Sequence, residues 1–153
     1  METLGNKDIL NLLKTGFLSS QKCPAEIVLK SYDWAKKQRE IGNCIICGNH
    51  SQIEKDVFEI LLKGSQPLIL VLARGMKSRW EPAFEEAVKQ DRLLVISPFD
   101  KHVNRVTRDN AKIRNQKIIE ISDELVIGYA SKGGMLEELI DGRNYIQLNA
   151  ISE

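Results

Sequence analysis

Four short stretches of this sequence bring small, polar and basic residues together in the way a phosphate site needs. They are Ser19-Ser20-Gln21-Lys22, Cys47-Gly48-Asn49-His50-Ser51, Ala73-Arg74-Gly75 with Lys77 and Arg79 behind it, and Ala130-Ser131-Lys132-Gly133-Gly134. Glycine lets a ligand approach the backbone with no Cβ in the way. A helix that starts just after such a stretch turns free N–H groups and a partial positive charge towards an anion. Each glycine alone would also serve an ordinary tight turn, but their convergence on one rim points to phosphate. A second feature is the run from Lys101 to Lys117, where Lys101, Arg105, Arg108, Lys112, Arg114 and Lys117 face a single acid, Asp109. Arg108, Lys112 and Asn115 fall at i, i+4 and i+7, one face of a helix. The planar fork of arginine suits paired contacts to phosphate.

Other reactive residue types carry less. Cys44 and Cys47 have the C-x-x-C spacing of redox pairs, which sit on a turn at a helix start. Here both fall in an apolar run that reads as a strand, where positions three apart point to opposite faces. A structural role is expected. A zinc site would need more ligands than Cys23 and His50 supply, so no metal and no cofactor is expected. Trp34 and Trp80 read as packing residues, with Trp80 also placed in a loop where it could stack on a base.

The elements that must position these residues alternate. Apolar runs at 15–19, 43–47, 67–72, 92–96, 124–129 and, more weakly, 145–148 predict strands, several of them apolar at every position as in a sheet covered on both faces. Amphipathic segments predict helices over 25–40, 51–63, 81–89, 107–122 and 134–140. The second opens with Ser51-Gln-Ile-Glu54, a capping box. Strand and helix alternate five times, which predicts a doubly wound, mostly parallel open α/β sheet of the Rossmann-like kind in one domain spanning 1–153. Residues 1–13 are expected to form a helical extension against the sheet edge. In such a sheet the ligand crevice lies beyond the carboxyl ends of the strands, where the four polar stretches fall.

Composition narrows the function classes. The 153 residues carry 22 Lys+Arg against 21 Asp+Glu, a formal charge of +1. That balance excludes a strongly basic nucleic-acid-coating protein while allowing a local patch. Three cysteines are too few for a secreted disulfide framework. The longest apolar run, Pro67–Ala73, is far short of the ~20 residues that span a bilayer. With no signal-peptide pattern in the first residues, a soluble cytoplasmic protein without membrane contact is expected.

The order of the motifs resembles the Rossmann-like domain of the DNA-processing protein A (DprA/Smf) family, from about Lys14 to Leu148. The family's G-S-R…P strand end is matched by Phe17-Leu-Ser-Ser-Gln-Lys-Cys-Pro24, and its S-G before a helix by Ile45-Ile-Cys-Gly48. A glycine loop after a buried strand is matched by Leu68–Gly75, and S-x-P by Leu94-Val-Ile-Ser-Pro98. The R-N-R-I-I helix that runs into L-S-D is matched by Arg114-Asn-Gln-Lys-Ile-Ile-Glu-Ile-Ser-Asp123. Ser131-Lys-Gly-Gly134 takes the place of a phosphate-type S-G-S loop. The chain departs from the pattern at Gln21, Cys47 and Gln116, where the family has arginine, serine and arginine. Lys132-Gly-Gly-Met-Leu-Glu-Glu138 is also similar to the P-G-G-x-G-T-x-x-E loop of the lonely-guy (LOG) phosphoribohydrolases, with Glu137 or Glu138 as the carboxylate.

The resemblance implies a stand-alone protein that binds a nucleotide or single-stranded DNA, without catalysis, in DNA processing or recombination. A recombinase-type protein partner and a homodimer come with it. The expected site is Ser20, Gly48, Asn49, His50, Ser51, Arg74, Gly75, Arg108, Arg114, Asn115, Ser131, Lys132, Gly133 and Gly134. Phosphates are expected on the N–H groups of 48–51 and 131–134, with Arg108 and Arg114 as countercharges and Asn115 as an orienting amide. The alternative is a LOG-like nucleoside-monophosphate phosphoribohydrolase or a small-nucleotide sensor, told apart by a carboxylate within reach of the ribose.

Overall fold

A computed structural model describes residues 1–148. Residues 149–153, part of the domain expected from sequence, lie outside the described residues. The strands are β1 (Glu2–Gly5), β2 (Lys14–Leu18), β3 (Cys44–Cys47), β4 (Leu68–Val71), β5 (Leu93–Ser97), β6 (Glu124–Ile127) and β7 (Ile146–Gln147). The helices are α1 (Ala25–Ile41), α2 (Gln52–Leu62), α3 (Pro82–Lys89), α4 (Arg108–Ile121) and α5 (Met135–Ile140). They build one seven-stranded sheet in the order β1-β5-β4-β3-β2-β6-β7, parallel except for β1. This is the doubly wound α/β architecture that the alternation of runs predicts.

The all-apolar strands are buried because both faces are covered. Side chains alternate along each strand, so Phe17, Ile45 and Cys47 join the core under α1, α2 and α3. Leu18, Cys44 and Ile46 join the core under α4 and α5. The two cysteines of the C-x-x-C run therefore face opposite layers, and burial pushes both thiols up, Cys44 to about 11.

The chain winds from β2 through β3 and β4 to β5 in one direction, then returns to lay β6 on the other side of β2. In open sheets the crevice forms where the winding reverses. Here that is between the carboxyl ends of β2 and β6. The two loops are tied there: Ser131 N–H donates to Ser20 Oγ at 2.9 Å, and Ser20 N–H to the Tyr129 carbonyl at 2.7 Å.

The first thirteen residues differ from expectation. Instead of a helical extension they form β1, paired antiparallel with β5 (Leu4 opposite Val95), then a short 3₁₀ helix at Lys7–Asn11. No local pattern marks Glu2–Gly5 as a strand; the free edge of β5 makes it one. Gly5, at φ +100°, lies against the Leu93 carbonyl, where a Cβ would collide. Asn6 accepts from Asp8 N–H and donates to the Asp91 carbonyl, which fixes the turn. The buried Ile9 anchors the 3₁₀ helix.

Gly5→Ala is expected to cost about 2–4 kcal/mol in urea denaturation, from a left-handed backbone plus a backbone clash. Gly42→Ala shares the positive φ, but its Cβ would meet nothing within 4 Å, so about 1–2 kcal/mol is expected. Equal losses would remove the Leu93 contact as a constraint on β1.

Candidate functional site

Two adjoining cavities open at the carboxyl rim of the sheet, of about 450 Å³ and about 200 Å³. The larger lies within the usual range of ligand pockets. Ser20, His50, Ser51, Arg108, Arg114, Asn115, Ser131 and Gly134 of the expected set line it, joined by Ser19, Lys22, Glu54, Val106, Thr107 and Met135. Gly48, Asn49 and Arg74 line the smaller, where His50, Val106 and Arg114 recur. Those three shared residues mark the junction of the cavities. Gly75, Lys132 and Gly133 line neither.

Arg114 is the centre of the site. Its side chain is carried inward by the buried face of α4, with Ala111 and Ile118 on either side, and it is 1% exposed. Nη1 donates to the Gly48 carbonyl at 2.8 Å and Nε to Asn115 Oδ1 at 2.7 Å. No carboxylate oxygen among the described residues lies within 4.0 Å of it. Burial lowers its pKa, which the more distant Glu54 opposes. A guanidinium buried with no paired carboxylate is costly unless an anion completes it.

Glu54 explains how the neighbouring loops are held. The capping box forms as the sequence predicts, with Ser51 Oγ accepting from Glu54 N–H at 3.2 Å. The carboxylate does more than cap. Oε1 accepts from Ser51 N–H at 3.0 Å and His50 N–H at 3.3 Å, while Oε2 accepts from Ser19 N–H at 3.0 Å. One buried side chain thus clamps the ends of β2 and β3. From sequence Glu54 reads only as the partner in a capping box; its place beside the rim residue Ser51 is the signal for its second role.

Several expected phosphate donors are therefore already used. The N–H groups of His50 and Ser51 go to Glu54, that of Ser131 to Ser20, that of Gly133 to Glu137 Oε1 at 3.0 Å, and that of Gly134 to the Ser131 carbonyl at 3.0 Å. The glycines also serve a different purpose from the one expected. A Cβ on Gly48 would stand 2.7 Å from the Arg114 guanidinium, so the close approach there is by arginine. Gly75 packs on the Asp100–Lys101 backbone and donates to the Val103 carbonyl at 2.6 Å.

The basic run divides on folding. Arg108 stays exposed at the mouth of the larger cavity, but Lys112 pairs with Glu138 at 3.4 Å and Lys117 with Glu120 at 3.5 Å. Lys112 thus does not share the cavity with Arg108 and Asn115. Neither Glu137 nor Glu138, the carboxylates of the LOG-like expectation, lines a cavity; Glu54 in the larger one has both oxygens engaged, and Glu81 in the smaller one pairs through Oε1 with Lys77 at 3.4 Å. Trp80 packs against Phe84, with ring centroids 5.7 Å apart, carries Lys77 over its ring at 4.8 Å, and also lines the smaller cavity beside Arg74. His50, at the junction, has its pKa lowered by burial and then by Arg114.

No family model matches the sequence, and no curated protein matches it. Solved structures do. DNA processing protein A from Helicobacter pylori superposes with a TM-score of 0.74 at 16% identity, covering 95% of this chain and 69% of that one. The chain shares the fold of DNA processing protein A. DprA from Streptococcus pneumoniae gives the same TM-score at 17% identity, with 95% of this chain covered and 53% of that one. This chain thus spans about half the length of the pneumococcal DprA. A molybdenum cofactor binding protein from Rippkaea orientalis gives 0.58 at 12% identity, covering 88% and 75% of the two chains. No helix among the described residues is long and apolar enough to cross a membrane.

Arg114→Met removes the charge and keeps most of the volume. If the guanidinium is held there at a cost, this variant melts at or above wild type. Arg114→Ala leaves a hole and is expected to melt about 5–10 °C lower. Gly48→Ala pushes on the guanidinium and is expected to cost about 1–3 kcal/mol. Most of that cost should vanish in the Arg114→Met background. A large destabilisation by Arg114→Met would make Arg114 a purely structural residue.

Proposed function

We propose that this protein binds a single-stranded nucleic acid or a nucleotide at the carboxyl rim, holding phosphate between Arg114, Arg108 and Lys22. The observation that carries the reading is Arg114: a buried guanidinium with no carboxylate partner, whose Nη2 has no acceptor among the described residues, lining both cavities. Three cations and one carboxylate, Glu54, line the larger cavity, and that carboxylate is engaged by three backbone N–H groups. An anion entering there meets a net positive wall in a partly dehydrated space, where charge-assisted hydrogen bonds are strong.

The H. pylori DprA that shares the fold is described by its single-stranded DNA binding mode, which supports a strand over an isolated anion. The run of two cavities joined at Arg114 supports it too, because a strand presents more than one nucleotide to the rim. Ser20, Ser51, Asn115, Ser131 and Gly134 shape the larger cavity, and Gly48, Asn49 and Arg74 the smaller. A place in DNA processing or recombination, a recombinase-type partner, a homodimer and a cytoplasmic location belong to the same proposal, as what the resemblance in sequence motifs implies.

The test is oligonucleotide affinity against salt. With two or three phosphates neutralised, the log–log slope is expected between about −1.4 and −2.1, at about 0.7 per phosphate for single strands. Arg108→Ala should make the slope shallower by about 0.7. Binding that is absent at low salt, or insensitive to salt, would overturn the reading.

Phosphate beside His50 offsets the effect of Arg114 on its imidazole, so binding raises the lowered pKa and takes up a proton. Affinity is therefore expected to rise as pH falls below about 6.5, the ordinary histidine value that His50 lies under. His50→Gln should flatten that profile. A flat wild-type profile would place the phosphate away from His50.

A further inference from the structure

A second arginine meets the cavities with no carboxylate against it. Arg74 follows β4 and lines the smaller cavity half-buried. Ser97 Oγ donates to its carbonyl at 2.6 Å, which fixes the backbone at the rim. Its Nε donates to the Gly75 carbonyl at 3.2 Å, while Nη1 and Nη2 have no acceptor among the described residues. No carboxylate oxygen among those residues lies within 4.0 Å of the guanidinium. In the same cavity the Trp80 indole N–H is buried and has no acceptor among the described residues. Lys77 lines it too, held over the Trp80 ring and paired with Glu81. An indole N–H and a guanidinium only donate, and Glu81 is the one carboxylate among the described residues of the wall. The cavity is therefore rich in donors and short of acceptors.

Such a wall selects a ligand that offers acceptors alone, an anion with several oxygens. Size narrows the choice. At about 200 Å³ the cavity falls below the ~300–1,000 Å³ of ordinary ligand pockets, so it takes a group and not a whole nucleotide. Leu70, Leu72 and Phe84 supply its apolar wall, which leaves an anion little water and strengthens each charged hydrogen bond it makes. A phosphodiester lodged inside would carry a nucleoside on each side, and the space holds neither. A phosphate monoester has one substituent, three acceptor oxygens and a charge of about −1.5 to −2 at pH 7. It fits by size, charge and acceptor count, and so does inorganic phosphate.

We propose that the smaller cavity is a separate phosphoryl subsite, in which the Arg74 fork and the Trp80 indole N–H hold the terminal phosphate monoester of a strand or a free phosphate ion. For a strand, this rests on the nucleic-acid reading above and adds an end to it: the strand passes the junction at His50, Val106 and Arg114 and stops beside β4. For a free ion, it stands without that reading.

The experiment titrates wild type, Arg74→Gln and Arg74→Lys with three hexadeoxynucleotides of one sequence, carrying a 5′-phosphate, a 3′-phosphate or neither, and with inorganic phosphate alone. Wild type is expected to bind one of the phosphorylated strands about tenfold more tightly than the strand with hydroxyl ends, the size of one charged hydrogen bond. Arg74→Gln should bring that ratio to within about twofold of one, whatever it does to the hydroxyl-ended strand. Arg74→Lys keeps the charge and loses the fork, so it should lose at least about half of the preference, and it decides the matter if the Gln variant does not fold. If neither end is preferred, but inorganic phosphate shifts the tryptophan emission of wild type and not of Arg74→Gln, the occupant is the free ion. Trp34 is stacked on Phe17 in the core under α1, so that shift reports Trp80. A terminal-phosphate preference that survives in full in either variant overturns the inference, as does the absence of both the preference and the emission shift. Wild type that binds no strand overturns the nucleic-acid reading, and the inorganic phosphate titration still decides the subsite.

Discussion

A positive charge held away from water, with no carboxylate among the described residues against it, is the constraint around which the carboxyl rim is arranged. Arg114 reaches its place because α4 turns one face inward along Ala111, Arg114 and Ile118. That face is too polar for a simple core helix. β3 must then end in a residue without a side chain, since a Cβ on Gly48 would occupy the guanidinium's space. Asn115 turns its amide oxygen back onto Nε and spends its amide nitrogen on the Met135 sulfur at 3.7 Å, which links α4 to α5. Each of these choices follows from the buried guanidinium, and none would be needed around a leucine.

The second organising group is a carboxylate that faces the same space without neutralising it. Glu54 gathers three backbone N–H groups from two strand ends, so its charge is distributed into the scaffold and stays out of a direct ion pair with Arg114. Buried charges of opposite sign at short range tend to pair and fill each other's hydrogen bonds. Separate engagement by backbone keeps them apart, and the arginine keeps donors for something else. Most of the rim's N–H groups are likewise already satisfied by the protein's own acceptors.

The fold was legible from the sequence because its signal is local. Runs such as Leu68–Leu72 and Leu93–Ile96 are apolar at every position, and Ser51 with Glu54 marks a helix start that forms as read. β1 was not legible, because Glu2–Gly5 becomes a strand only against β5. Of the site, the rim positions and Arg114 could be read from strand ends and from the R-N motif, while the use made of the glycines could not. Gly48 and Gly75 look like phosphate-loop residues in sequence, yet their neighbours are a guanidinium from α4 and the backbone at Asp100 and Lys101. Such contacts join residues far apart in the chain, and nothing in the local spacing announces them. The same distance hid the pairing of Lys112 with Glu138, which made the basic run look more open than it is.

β1 has a consequence for the order in which the molecule is assembled. A ribosome makes Glu2–Gly5 about ninety residues before Val95, the partner of Leu4, emerges. Until then the segment has no ladder to join. Once β5 is laid beside β4 its outer edge is an open template for any extended peptide, and the waiting segment is already tethered nearby to fill it. β1, made before β5, thus waits for its partner and then covers the outer edge of β5.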